Sequence, residues 1–283
     1  MSNNKKKKIF TIIGAIAGLL ILIFIFEKIM YVTTDNAQVE AHTVMLGFKV
    51  SGYVTDVRVV EGQKVEAGAV LAEVDERDYQ NALKAAQGEL VSIEAKKRDS
   101  ERTFGRYKQL YSSGAISQAQ YDTASSTYAE VKAKYDAIAA QVAQAELNLE
   151  NTKIRAPEVG FIAKKSVEKG QLATPGVPLF GFVGARERWV TANFKETEIE
   201  SIKIGAPVKI EVDALSKNFH GVIESISAAT GATFTLLPPD NATGNFTKVV
   251  QRVPVRIQIK DIDEKDIETL RTGLSAYVKV SKH

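Results

Sequence analysis

The chain of 283 residues predicts an α+β protein with four parts. These are an N-terminal transmembrane helix, a β-sandwich split into two stretches, an antiparallel coiled-coil hairpin inserted between them, and a small β-barrel. Four observations carry this expectation. An uncharged apolar run, Ile9 to Phe26, follows four consecutive lysines. The stretch beginning at Gly52 recurs from Gly160 in constant register. Between the copies glycine and proline thin out and a heptad pattern appears, and beyond residue 184 the chain reads as short alternating strands.

As a helix the apolar run spans about 27 Å, just under the ~30 Å hydrocarbon core of a bilayer. Lys28 can snorkel, and Ile29, Met30 and Tyr31 extend the apolar reach, so the span is set at 9–31. A cleaved signal peptide needs a shorter apolar region ending at a small-x-small site. Ala15-Ile16-Ala17 has that form but sits mid-run, which favours a retained anchor. Lys5, Lys6, Lys7 and Lys8 place residues 1–8 in the cytoplasm and everything after the span outside it. Gly14 and Gly18 form a GxxxG that would let another helix pack closely; chance in a glycine-rich span is the alternative.

The same four lysines explain the formal charge of +3, since the rest of the chain carries 33 basic against 34 acidic residues. No basic face remains for nucleic acid. There is no cysteine, which excludes disulfides, thiolate metal sites, a cysteine nucleophile and a lipoprotein-type anchor. His42, His220 and His283 are far apart and form no ligand-like spacing. No catalytic constellation, metal site or cofactor is expected.

In the repeat, Gly52, Gly62 and Gly68 recur as Gly160, Gly170 and Gly176, while Val59, Gln63 and Leu71 recur as Val167, Gln171 and Leu179. Glycine supplies the positive φ that tight turns between short strands need. The two halves, 45–74 and 153–184, resemble the biotinyl/lipoyl-carrier fold, whose halves pack as a flattened sandwich. In that fold the modified lysine sits between the halves. Here a long stretch of other sequence occupies the position, and no Asp-Lys-Ala or Met-Lys-Met turn occurs. Lys64 and Lys164 lie within the halves, so a lipoyl or biotinyl carrier subunit is not expected.

The insert, 75–152, has Tyr121, Tyr128, Tyr135, Val142 and Leu149 at heptad spacing, with Ala124, Val131, Ile138, Ala145 and Thr152 as companions. The first arm repeats Leu83, Leu90, Phe104 and Tyr111 with Ala86, Ile93 and Tyr107; Lys97 and Ser100 interrupt it and predict a looser stretch. Asp75 is the expected N-cap of the first arm, with Asp78 in its first turn. Gly114 ends that arm, and Ser117-x-x-Gln120 is a capping box for the second. The short turn forces the arms antiparallel. Near the tip, Arg106, Leu110 and Ser117 form R-x3-L-x6-S, with Arg106 and Leu110 on one helix face off the seam. A partner groove is one home for this exposed apolar residue. A solvated arginine, an incidental leucine and a mere cap are the other reading.

The last part, 185–283, alternates in RWVTANF, PVKIEVDA, HGVIESISA, RVPVRIQIK and SAYVKVS, as in a small barrel to which 32–44 adds a strand. The apolar stretch with Phe234, Leu236 and Leu237 suits either a contact surface or a barrel plug.

Essentially the whole chain resembles the HlyD/EmrA family of membrane fusion proteins. TDNAQVEAH (34–42), IRAPEVGFI (154–162), WVTANFKETEIE (189–200) and LLPPDNATGNFTKVVQRVPVRI (236–257) carry the likeness to the EmrA branch. The resemblance implies a non-enzymatic periplasmic adaptor in the inner membrane of a Gram-negative bacterium. It implies a homo-oligomer, trimer or hexamer, that links an inner-membrane transporter of major-facilitator type to a TolC-type outer-membrane channel and exports drugs or other small toxic compounds. Arg106, Leu110 and Ser117 match the family element that docks the channel. An adaptor of an ABC-type polypeptide exporter is the runner-up. The hairpin is shorter than in long-hairpin members, which leaves the channel's identity open.

Overall fold

A computed structural model describes residues 29–215, 217–233, 249–260 and 262–282. The anchor run with Gly14 and Gly18, and the loop residues Phe234, Leu236 and Leu237, lie outside them. In chain order the first strands are β1 (Tyr31–Glu40), β2 (Thr43–Leu46), β3 (Gly52–Val57), β4 (Lys64–Val65) and β5 (Val70–Val74). Helices α1 (Arg77–Ser112) and α2 (Gln118–Glu150) follow. Next come β6 (Lys153–Arg155), β7 (Gly160–Lys165), β8 (Leu172–Ala173), β9 (Phe180–Gly184), β10 (Trp189–Lys195), β11 (Pro207–Val212) and β12 (Asn218–Ile226). The remaining elements are β13 (Arg252–Ile259), α3 (Glu264–Thr269) and β14 (Ser275–Ser281). Two units emerge, one of Thr43–Phe182 and one combining the residues up to His42 with Val183 onward.

In the first unit the repeat becomes a pair of four-stranded sheets, β2-β9-β7-β4 and β6-β5-β3-β8. Each sheet draws two strands from each half, so neither half folds alone. Moved along the chain by the offset of the repeat, β3 and β4 land on β7 and β8 residue for residue. The backbone bonds repeat as well. Gly62 donates to Ile162 at 2.7 Å and Gly170 to Val54 at 2.8 Å; Ile162 donates to Gln63 at 3.0 Å and Val54 to Gln171 at 2.9 Å. The recurring glutamines close their own turns, Gln63 Oε1 accepting from Val60 N and Gln171 Oε1 from Glu168 N. Gly62, Gly68, Gly170 and Gly176 all have φ near +80°, as their turns require. Val59, Leu71, Val167 and Leu179 are buried together with Phe48, Phe180 and Phe182.

The hairpin leaves this sandwich from β5 and returns through β6, its antiparallel neighbour. Its start corrects the sequence expectation. Glu76, not Asp75, is the N-cap, and its side chain makes no capping bond. Asp75 remains tied to the sheet, its N–H donating to Tyr53 O at 2.9 Å. Its carboxylate instead accepts the N–H and Nε of Arg77 at 3.1 and 3.0 Å. Those bonds hold the Asp75 carboxyl down to about 2.

In the second unit β1-β10-β13-β12-β11-β14 close into a barrel whose neighbours all pair antiparallel. Burial alternates along the strands, so Val190, Ala192, Phe194, Val208, Ile210, Val212, Ala276, Val278 and Val280 fill the interior. The segments 34–42 and 189–200 meet at the β1–β10 seam. Thr34 Oγ1 donates to Asn193 O at 2.9 Å beside a bulge in β1, and Asn193 Nδ2 donates to Asn36 Oδ1 at 3.1 Å. Glu40 accepts from both Trp189 Nε1 and Thr191 Oγ1, at 2.9 and 2.8 Å.

Arg188 is only 4% exposed and binds carbonyls: Leu270 at 3.0 Å, Gly184 at 2.6 Å, Glu187 at 2.9 Å and Ile267 at 3.4 Å. Burial lowers the pKa of its guanidinium, and these dipoles stabilise the charge while satisfying carbonyls at the end of α3. Arg188→Met removes the donor from all of them. Urea unfolding of the barrel should show a loss of about 2–4 kcal/mol. The Asp75–Arg77 link carries a pH signature. A depressed carboxyl contributes above its unfolded value near 4 and loses that contribution as pH falls toward 2. An NMR titration of Asp75 should therefore show little change from pH 7 down to about 3.5, where an ordinary Asp carboxyl is already mostly protonated.

Candidate functional site at the hairpin tip

The hairpin consists of helices of 36 and 33 residues, about 54 and 50 Å long. The heptad positions of α2 turn inward: Ile138 and Val142 are buried, and Tyr121, Ala124, Tyr128, Val131, Tyr135, Ala145 and Leu149 are half-buried. Ile93 is buried opposite, following half-buried Leu83, Ala86 and Leu90 along α1. Lys97 faces inward too, its ammonium 3.9 Å from the centroid of the Tyr135 ring. This contact lets a charge occupy a seam position. Just above it, Ser100, Thr103 and Tyr107 face Ala119, Thr123 and Ala124 across a groove of about 410 Å3. Small polar side chains leave the seam underfilled here.

Aromatic rings pack along the seam beside the groove and on toward the turn. Phe104 stacks on Tyr128 at 5.5 Å and meets Tyr121 at 5.8 Å, and Tyr111 stacks on Tyr121 at 5.0 Å. The Tyr111 hydroxyl donates to Gln118 Oε1 across the turn. This fastening was not read from the sequence, although Tyr111 and Gln118 flank the turn symmetrically. Gly114 has φ +74° and donates to Tyr111 O at 3.0 Å, while Ala115 donates to Leu110 O at 2.9 Å.

Ser117 forms the expected capping box: its Oγ accepts from Gln120 N at 3.3 Å, and its N–H donates to Gln120 Oε1 at 3.0 Å. Arg106 and Leu110 lie on the face of α1 away from the seam. Arg106 donates to Thr103 Oγ1 at 3.2 Å and forms no ion pair among the described residues; Leu110 is 43% exposed. The tip is thus a rigid closed turn that displays a cation and an apolar side chain to solvent. No group of residues suited to holding a metal ion occurs among those described.

A family model described as RND MFP, barrel-sandwich hybrid domain, matches residues 42–183, and one for an AAEA-like beta-barrel domain matches 188–281. The colistin resistance protein EmrA of Acinetobacter baumannii is 33% identical, over 94% of this chain and 90% of its own length. The multidrug export protein EmrA of Haemophilus influenzae is 32% identical, over 99% of this chain and 85% of its own. A MacA–MexA chimeric protein containing the Pseudomonas aeruginosa MexA α-hairpin shares the fold, with a TM-score of 0.62. It is 25% identical over 90% of this chain and 79% of that one. Split sandwich, hairpin and barrel together define a membrane fusion protein, a class of periplasmic adaptors and not of enzymes. Within that class, the chain belongs to the HlyD/EmrA family.

The tip geometry separates two kinds of residue. Ser117→Ala removes the cap and should cost about 1 kcal/mol, with faster amide exchange in the first turn of α2. Leu110→Ala touches no core and should leave urea stability within about 0.5 kcal/mol.

Proposed function

We propose that the chain is an adaptor that joins an inner-membrane drug/proton antiporter of the major-facilitator type to a TolC-type outer-membrane channel. The apolar run 9–31 anchors it, with the N-terminus in the cytoplasm and the bulk in the periplasm. Gly14 and Gly18 give that helix a packing face. The loop of Phe234, Leu236 and Leu237 contacts the transporter. Copies assemble side by side, as trimers or hexamers, so that their hairpins form a crown. Arg106, Leu110 and Ser117 form the docking element, Ser117 by holding the turn that positions the other two. The exported compounds are drugs or other small toxic compounds, a reading supported by relatives named for colistin resistance and multidrug export.

The observation that carries this reading is Leu110, a large apolar side chain left exposed beside Arg106 at the closed end of a rigid hairpin. The mechanism is mechanical. A helical hairpin, with no Asp-Lys-Ala or Met-Lys-Met turn, stands between the halves of the sandwich, so it serves as a fixed mount and not as a swinging-arm carrier.

A photo-reactive residue placed at position 110 of the full-length protein in cells should capture an outer-membrane channel. Finding only lipid or self-adducts would sink the docking assignment. Deleting the gene should raise sensitivity to hydrophobic drugs at least fourfold in a strain without redundant pumps.

A further inference from the structure

Position 110 is the end of a longer row. One turn after another back from Leu110 come Arg106, Arg102 and Arg98, so one i±4 ridge reads Arg-Arg-Arg-Leu along the outer face of α1. It extends about 18 Å down from the tip. The guanidinium groups remain in solvent. Arg98 reaches Glu94 at 3.3 Å and Arg102 reaches Asp99 at 3.9 Å, yet their side chains are 67% and 73% exposed. Exposed pairs of this kind are worth little, so both guanidinium groups can exchange these carboxylates for a partner's.

Beside the ridge lies Gly105, flanked by Asp99, Arg102, Arg106 and Gln109 around a shallow notch. The fold does not call for glycine there. Its φ is not positive, and no atom lies within 4 Å of the place a Cβ would occupy. An interior glycine weakens a helix, so its fitting use is to let another backbone come close.

The charge is local to this end of the hairpin. Residues 96–134 carry eight Lys and Arg against four Asp and Glu, whereas 77–95 and 135–150 together carry two against six. Copies lying parallel, as the proposed function requires, would bring like-charged outer halves together. An acidic counterpart at the same height relieves that repulsion.

Resting on the tip-docking reading above, we infer that the docking surface is the whole Arg98–Arg102–Arg106–Leu110 ridge, seated against an acidic helix of the outer-membrane partner that enters the notch at Gly105. Carboxylates on the incoming helix pair with the guanidinium groups, Leu110 meets its apolar flank, and Gly105 permits the close crossing.

The test uses the full-length protein in cells with the photo-reactive residue at position 110. Arg102→Glu and Gly105→Gln should each lower channel capture at least tenfold. Resistance of the purified variants to limited proteolysis should be unchanged, or higher for Gly105→Gln, because both substitutions suit an exposed helix. Reversing the partner carboxylate nearest the mapped adduct to lysine should restore capture by Arg102→Glu and not by Gly105→Gln. Undiminished capture in both variants overturns the ridge while leaving tip docking intact. Capture of a second copy of the chain, or of no channel before any ridge residue is changed, removes tip docking and the ridge with it.

Discussion

Val74 donates its backbone N–H to the carbonyl of Thr152 at 3.0 Å, joining the last residue of β5 to the turn that follows α2. Around this bond the feet of the hairpin are held in several ways. Ala72 and Glu73 pair with Ile154 and Lys153, Lys153 reaches Glu76 at 3.2 Å, and Thr152 is fully buried with its hydroxyl on Leu149 O. Two long helices thus enter and leave through adjacent strands of one sheet. Their base has the order of a sheet, not of a linker. Such a base fixes where the far end lies, because a small angular error at the feet is magnified over the hairpin's length.

The sandwich can supply it because its halves are interleaved. With two strands of each half in each sheet, the reciprocal bonds from Gly62 to Ile162 and from Gly170 to Val54 cannot form until both halves are present. The hairpin is therefore a loop closed by a cooperative core, and its ordering cost is shared with that core. In the other unit the barrel is closed on itself, so it exposes no unpaired edge among its six strands.

Legibility from sequence followed the range of the interactions. The repeat was legible because φ near +80° leaves few alternatives to glycine at positions 62, 68, 170 and 176. The seam of α2 was legible because tyrosine, valine and isoleucine recur at heptad spacing. The Ser117 box was legible because both partners lie within one helical turn. Asp75 was misread because its nearest constraint, Tyr53 O, belongs to a strand well back along the chain. Arg188 escaped notice for the same reason, since Ile267 and Leu270 carbonyls leave no mark in sequence. At the tip, the motif spacing located Arg106, Leu110 and Ser117 but not the Tyr111–Gln118 fastening or the groove beneath it. Both depend on how two arms face each other.

The adjacency of β5 and β6 also decouples reach from support. Removing or adding one heptad in each arm would shorten or lengthen the hairpin by about 10 Å and keep the same residues at the seam. No strand of the sandwich would shift, since the feet stay where they are. Hairpin length is thus a free variable in this architecture, a gauge that evolution or an engineer can reset to span a wider or narrower gap between two membranes without refolding anything else.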